Sequence, residues 1–290
     1  MSEVLLTSPG KSDSRAPSWP FLLLGPAVLV NLIGFVWPLF LLATISFKTG
    51  GSGGSIADDL TLANWLGVLS DPFYLRLLLS TVTLSLVTTA CTLACSFPLA
   101  LFIYRSHPRW RNLLVVICVS PLLISAVVRT YGWIVILGDS GFIASTVRAV
   151  GLEPFPLIFN RAGLVIGMVE ILMPYMILSL MAGFGRLDSS LEEAAASLGA
   201  NRLTVLRLIV IPLTLPGILL GCFLVFVITV SAFITPKVLA GGRVPLLATE
   251  IYDQAILTLN WPVASVLSYI ALIIFGLATL LYMKMLRHLE

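Results

Sequence analysis

The stretch Ser190-Leu191-Glu192-Glu193-Ala194-Ala195-Ala196-Ser197-Leu198-Gly199, followed after nine intervening residues by Ile209-Val210-Ile211-Pro212, is polar and amphipathic in a chain that is otherwise mostly apolar. Ser190 three residues before Glu193 reads as a capping box, the hydroxyl meeting the Glu193 N–H and the carboxylate reaching back. A helix is therefore predicted from here. Gly199 supplies a left-handed residue to end it and Asn201 continues the turn, so the helix has about two to three turns. A short capped helix between two long apolar segments reads as a docking element.

Working outward, 58% of the 290 residues are hydrophobic and 11% charged, and the mean hydropathy is +1.04. That is too little polar surface for a water-soluble globule of this length. Segments of about 20 apolar residues are long enough to cross a bilayer as helices. Six are read, over 21–47, 75–104, 112–137, 162–184, 208–234 and 262–286, which makes the chain an all-α integral membrane protein with both ends on one side. Lys11, Arg15, Arg105, Arg109, Arg111, Arg186, Arg202, Arg207, Lys284 and Arg287 fall at one set of span ends; Lys48, Arg76, Arg148, Arg161, Lys237 and Arg243 fall at the other. The positive-inside rule makes the first set cytoplasmic, and with it both termini and the segment around Glu193.

The polar first residues read as a tail, and the first apolar run is too long for a secretory signal. Pro26 and Pro38 are expected to bend that span. Gly50-Gly51-Ser52-Gly53-Gly54-Ser55 reads as a flexible linker, and a short interfacial helix is expected around 142–150. Cys91, Cys95, Cys118 and Cys222 lie inside apolar spans without zinc-type spacing, so they are read as packing residues, with neither disulfide nor metal. His107 and His288 read as surface residues. The chain carries no phosphate-binding loop, no His-Glu-x-x-His helix and no nucleophile elbow. Catalytic residues, cofactors and nucleic-acid contacts are accordingly not expected.

Two ionisable residues lie within the spans, Arg129 in Val127-Val128-Arg129-Thr130-Tyr131-Gly132-Trp133 and Glu170 in Val169-Glu170-Ile171-Leu172-Met173-Pro174. Facing lipid they would cost several kcal/mol, so they are expected to face the bundle interior or a polar pathway. One reading puts them on a solute path; the other pairs them with each other to hold the third and fourth spans together.

The spacing Glu-Ala-Ala, three residues, Gly, nine residues, Ile, one residue, Leu, Pro resembles the EAA loop of ABC-importer permeases, with Ile211 here where Leu is usual. Ser231-Ala232-Phe233-Ile234-Thr235-Pro236-Lys237, Asn260-Trp261-Pro262 and Arg129-Thr130-Tyr131-Gly132-Trp133 resemble segments of spermidine/putrescine-type permeases. The resemblance implies the type I ABC importer permease fold. It also implies a bacterial inner-membrane location, an ABC ATPase dimer, a second permease subunit (a paralogue) and an extracytoplasmic solute-binding protein. Glu193, Ala194, Ala195, Gly199, Ile209 and Pro212 would couple to the ATPase, small alanines letting the helix sit close and Glu193 making the polar contact. Arg129, Tyr131, Trp133, Glu170 and Phe233 are candidates for the solute path. The domain reading is a cytoplasmic tail over 1–19, the permease domain over 20–286 and a cytoplasmic end over 287–290. A polyamine is the expected solute; an opine or other zwitterionic or anionic solute is the alternative, and an ion-coupled secondary transporter is the reading from another class.

Overall fold

The computed structural model describes residues 25, 26 and 28–288; the expected tail over 1–19 lies outside them. Among the described residues, six segments are long and apolar enough to cross a membrane: Val28–Ser46, Pro72–Arg105, Ala126–Ala149, Arg161–Phe184, Arg202–Ser231 and Trp261–Arg287. The chain divides into two units, one ending at Thr44 and one beginning at Ile45.

Most of the first span, α1 (Val28–Ser46), belongs to the first unit. It contains a π turn at Leu32–Val36, just before Pro38. Proline has no N–H to give the preceding turn, and a widened turn is one way a helix absorbs the loss. A bend was expected at Pro38, and the helical irregularity described near it is this turn; Pro26 sits at the edge of the described residues.

In the second unit, the expected flexible linker is instead a hairpin. Strands β1 (Lys48–Gly50) and β2 (Ile56–Leu60) pair antiparallel. The glycines that suggested mobility supply the turn, Gly53 and Gly54 taking positive φ of 70° and 85°, which a glycine adopts without steric cost. Lys48 and Asp58 clasp the hairpin at 2.8 Å. Helix α2 (Ala63–Ser70) then leads into α3 (Pro72–Arg105), whose first turn is capped by the Asp71 carboxylate accepting from the Phe73 N–H.

The third span departs most from expectation. A single helix over 112–137 was predicted, but the chain forms α4 (Pro108–Val119), a 3-10 turn at Ser120–Leu123 and α5 (Ala126–Leu137). Pro121 removes a donor, and Ile124 and Ser125 are not helical. Hydropathy averages over such a break because most residues around it are still apolar. The short helix expected around 142–150 is present as α6 (Phe142–Ala149).

Helix α7 (Arg161–Phe184) is the axis of the second unit. Leu164, Met168, Leu172, Met176, Leu180 and Phe184 recur every four residues and are all buried, which puts them on one face. Phe184 meets the rings of Phe97 and Tyr104 on α3 at 5.8 and 5.4 Å. On its other side α7 packs against α9 (Arg202–Ser231), where the backbones nearly touch. A Cβ added at Gly217 would lie 2.7 Å from the Gly183 Cα and from the Ser179 carbonyl oxygen, and one at Gly221 would strike Met176. Ser179 and Gly183 on one helix, and Gly217 and Gly221 on the other, are small residues four apart; this spacing lets membrane helices gain close van der Waals contact where lipid tails remove the hydrophobic incentive. Helix α9 carries a π turn at Leu206–Val210, with the Ile211 N–H reaching back to Leu206, just before Pro212, as α1 does before Pro38.

Helix α3 carries a buried hydroxyl stripe the sequence reading did not single out: Ser80, Thr81, Ser85, Thr88, Thr89, Thr92 and Ser96. Thr81, Ser85, Thr89 and Thr92 donate to the carbonyl four residues back at 2.7–2.9 Å, satisfying themselves where no water competes. Thr81 also accepts from the Leu247 N–H at 2.9 Å, tying α3 to α11 (Leu247–Tyr252), after the short α10 (Ile234–Leu239). The last span, α12 (Trp261–Arg287), starts with the Asn260 side chain accepting from the Val263 N–H. Cys91 and Cys95, expected to pack, lie exposed on the side of α3.

Candidate functional site

The segment that opened the sequence reading folds as a helix, α8 (Ser189–Ser197), of nine residues. Its cap differs from expectation. The Asp188 carboxylate, not the Ser190 hydroxyl, caps the first turn by accepting from the Ser190 N–H at 2.9 Å. A carboxylate is an equally good N-cap acceptor and adds a favourable charge at the positive end of the helix. The Ser190 backbone N–H, and then its hydroxyl, hold the Asp188 carboxyl below its ordinary pKa. Gly199 ends the helix with φ +82°, as expected, and Asn201 caps the next helix by accepting from the Thr204 N–H.

Glu192 anchors α8 to the rest of the unit, meeting Arg105 at the end of α3 at 2.7 Å. The Tyr104 hydroxyl donates to the Leu187 carbonyl at 3.1 Å, and the Arg111 guanidinium lies 5.2 Å from the Tyr104 ring. Consecutive residues on a helix point about 100° apart, so Glu192 turns toward α3 while Glu193 is left exposed. Ala195 packs inward against the core; Ala194 is exposed, as are Leu191 and Leu198, the latter 90%. Leu191, Ala194 and Leu198 are spaced three and four apart and so form one apolar stripe facing away from the unit. Ile209 packs inward, and Pro212 is exposed just after the π turn of α9.

The second candidate region joins α5, α7 and α10. The Thr130 and Thr235 hydroxyls meet at 3.0 Å, fixing α10 against α5. At the preceding residue, Arg129 Nη1 lies 3.8 Å from Glu170 Oε1, with the two side chains 11% and 34% exposed. That is within ion-pair range but too long for a hydrogen bond. The Trp133 indole N–H donates to Glu170 Oε2 at 3.1 Å, which fixes the carboxylate's orientation. Arg129 Nε and Nη1 are buried without any hydrogen-bond partner. Leaving a buried donor unpaired costs about 1–3 kcal/mol, more when it is charged. Sequence reasoning found Arg129, Trp133 and Glu170, and the structure brings these three together. Tyr131 points elsewhere and is 57% exposed. Phe233 stacks on Tyr252 with ring centroids 4.5 Å apart, beside Lys237, whose ammonium meets Asp253 Oδ2 at 2.7 Å. The Lys237–Asp253 pair was not foreseen, since the two residues are 16 apart and belong to no recognisable spacing.

A groove of about 390 Å3 lies between α3, α9 and α12, lined chiefly by apolar side chains such as Leu86, Phe223, Phe226 and Leu281. It offers no charged group to a polar solute and shares no residue with the Arg129–Glu170 region, so the chemistry points to the latter. Among the described residues no group of three His, Cys, Asp or Glu side chains is placed to hold a metal ion.

Six apolar segments long enough to cross a membrane, a short polar helix fastened to α3 and a charged pair between α5 and α7 fit a membrane permease. The family model described as "Binding-protein-dependent transport system inner membrane component" matches residues 96–290, and the chain belongs to that family. The spermidine/putrescine transport system permease protein PotB of Haemophilus influenzae is 30% identical over 256 residues, covering 87% of this chain and 89% of that protein. PotB of Escherichia coli is 30% identical over 264 residues, covering 89% and 96%. Among solved structures, a bacterial alginate ABC transporter chain superimposes with a TM-score of 0.75 at 17% identity, covering 93% of this chain and 95% of that one. A chain of the MetNI methionine ABC transporter does so with a TM-score of 0.55 at 16% identity, covering 76% and 99%. The fold is that of type I ABC importer permeases, as expected from the EAA-like spacing. The protein is an inner-membrane permease subunit of a binding-protein-dependent importer.

Proposed function

We propose that this permease forms half of the pathway of an ATP-driven importer and that α8 is where an ABC ATPase docks. The observation that carries the reading is the outward stripe of Leu191, Ala194 and Leu198 on a helix otherwise fastened by Glu192 to Arg105. Exposed leucines on a rigidly held polar helix suit a protein groove better than water. Glu193, Ala194, Ala195, Gly199, Ile209 and Pro212 form and aim this coupling element, Glu193 facing the partner. The hydrolysis comes from a separate ATPase dimer. The remaining partners are a paralogous second permease subunit and an extracytoplasmic solute-binding protein.

The loop charges support an orientation with both termini and α8 in the cytoplasm, a tail over 1–19, a permease domain over 20–286 and a short end over 287–290. The solute is a small organic amine of the polyamine type. PotB relatives are named for spermidine and putrescine, and Glu170, oriented by Trp133, leaves Oε1 free to accept from an ammonium group. Arg129, Tyr131, Trp133, Glu170 and Phe233 are the pathway candidates.

Leu198→Glu tests the docking. The expected outcome is a protein inserted at normal yield that copurifies at least tenfold less ATPase. Undiminished copurification with normal solute-stimulated ATP hydrolysis would remove α8 from the coupling role.

A further inference from the structure

Resting on the reading of the chain as an importer of organic amines, we infer that Asp253, Tyr252 and Phe233 form a binding site for a primary alkylammonium group. In this structure the chain's own Lys237 fills that site, and the solute amine takes its place during import.

Lys237 lies on α10, and Asp253 follows α11, 16 residues later. The Lys237 ammonium donates to both carboxylate oxygens of Asp253, to Oδ2 at 2.7 Å. It stands 5.8 Å from the centre of the Tyr252 ring, within reach of a cation–π attraction. Phe233 backs that ring, with centroids 4.5 Å apart. A carboxylate and an aromatic face meeting on one ammonium are the contacts that recognise an alkylamine. The lysine side chain is itself a four-carbon stem ending in an ammonium, the same chemistry as one end of a linear diamine such as putrescine.

Three features make the place exchangeable. Lys237 and Asp253 are 33% and 32% exposed, so solute and water reach the pair, and an ion pair this exposed is weak. The lysine stem is flexible and its ammonium strongly hydrated, so the displaced side chain turns into water. The local charge favours a second cation: Glu250, half-buried and three residues before Asp253, accepts from Gln254 Nε2 at 2.8 Å. Two carboxylates thus share this segment with one ammonium, while Arg243 is engaged by the Phe159 ring at 5.4 Å.

The position suits a solute entering from outside. Helix α10 follows the end of α9 remote from α8. Thr235, two residues before Lys237, meets Thr130 beside Arg129, so the site borders the charged pair of α5 and α7.

The test measures putrescine uptake below saturation in cells expressing the complete transport system or lacking it, in variants inserted at normal yield. Lys237→Gln empties the place and is expected to raise uptake about threefold, the scale of one exposed ion pair. Asp253→Asn is expected to lower it about tenfold, the scale of a hydrogen bond to a charged group, and the double variant to stay as low as Asp253→Asn. Asp253→Glu and Tyr252→Phe keep the carboxylate and the ring and are expected to retain most uptake, whereas Tyr252→Leu is expected to lose about threefold. Losses in both Lys237→Gln and Asp253→Asn that the double variant restores would make the pair a strut and overturn the site. Unchanged uptake in Asp253→Asn or in Tyr252→Leu would overturn it too, in each case leaving an amine importer standing. Absence of system-dependent putrescine uptake by the wild type would overturn the amine reading and this inference with it.

Discussion

Two arginine–glutamate pairs in this chain are built in opposite ways. Arg105 and Glu192 meet at α8 and close to 2.7 Å, whereas Arg129, the more buried arginine, and Glu170 sit between spans and stand 3.8 Å apart. Electrostatics alone would order them the other way, since attraction strengthens as the dielectric falls. The outer pair is a strut that holds α8 against α3. The inner pair is held apart by its backbone frame, with Trp133 turning Glu170 and the Thr130–Thr235 contact fixing the start of α5. A strut needs only its own two partners; a pair that leaves hydrogen-bonding capacity unused suits a third one.

Removing the glutamates one at a time exploits this contrast. Glu170→Ala leaves the buried Arg129 guanidinium uncompensated and is expected to cost about 3 kcal/mol, at the lower end for a broken buried pair because Glu170 is partly exposed. Glu192→Ala is expected to cost less than about 1 kcal/mol, as exposed pairs do. Thermal unfolding of the assembled complex in detergent compares them, and equal losses would erase the distinction.

Helix α8 is expected to be sensitive to shape as well as charge. Gly199→Asp forces a side chain into the left-handed region, costing about 1–2 kcal/mol locally, and is expected to lower ATPase copurification several-fold while the spans stay intact. Arg105→Gln, by contrast, is expected to cost about 0.2–1 kcal/mol and to loosen α8 without detaching it. Solute-stimulated ATP hydrolysis should fall modestly in this variant, and raising the salt should weaken the wild type toward it.

The smallest effect concerns Asp188. Its carboxyl has a lowered pKa in the folded state through the Ser190 N–H, so its capping contribution is full above the ordinary carboxylate value of about 4 and is lost as pH falls through the folded value. Protection of the first α8 amides from hydrogen exchange should be flat from about pH 5 to 8 and drop below that range. Asp188→Asn keeps an acceptor and should remove the pH dependence.

Helix α8 was legible because its signals are local. A left-handed Gly199 and a polar run among apolar residues each announce themselves within a few positions. The six spans were legible from length and hydropathy. What escaped depends on choices between near-equivalent neighbours or on distant contacts. Asp188 competes with Ser190 for the same cap, and Glu192 and Glu193 are interchangeable to a linear reading until α3 selects one of them. The break at 120–125 is invisible to hydropathy, which does not change there. The Gly183–Gly217 crossing and the Lys237–Asp253 pair require knowing which helices meet. Arg129 and Glu170 were identifiable as expensive residues, but the 3.8 Å gap between them is a property of the packed helices.

The most direct measurement is a double-mutant cycle on that inner pair, reading thermal stability and solute uptake in Glu170→Gln, Arg129→Gln and the double variant. If the pair serves the solute, the double variant should recover most of the stability lost by the single changes, because no buried charge remains unpaired, yet uptake should stay as low as in the weaker single variant. Recovery of uptake together with stability would mean that the two residues only neutralise one another, and would contradict the assignment of this region to the transport path.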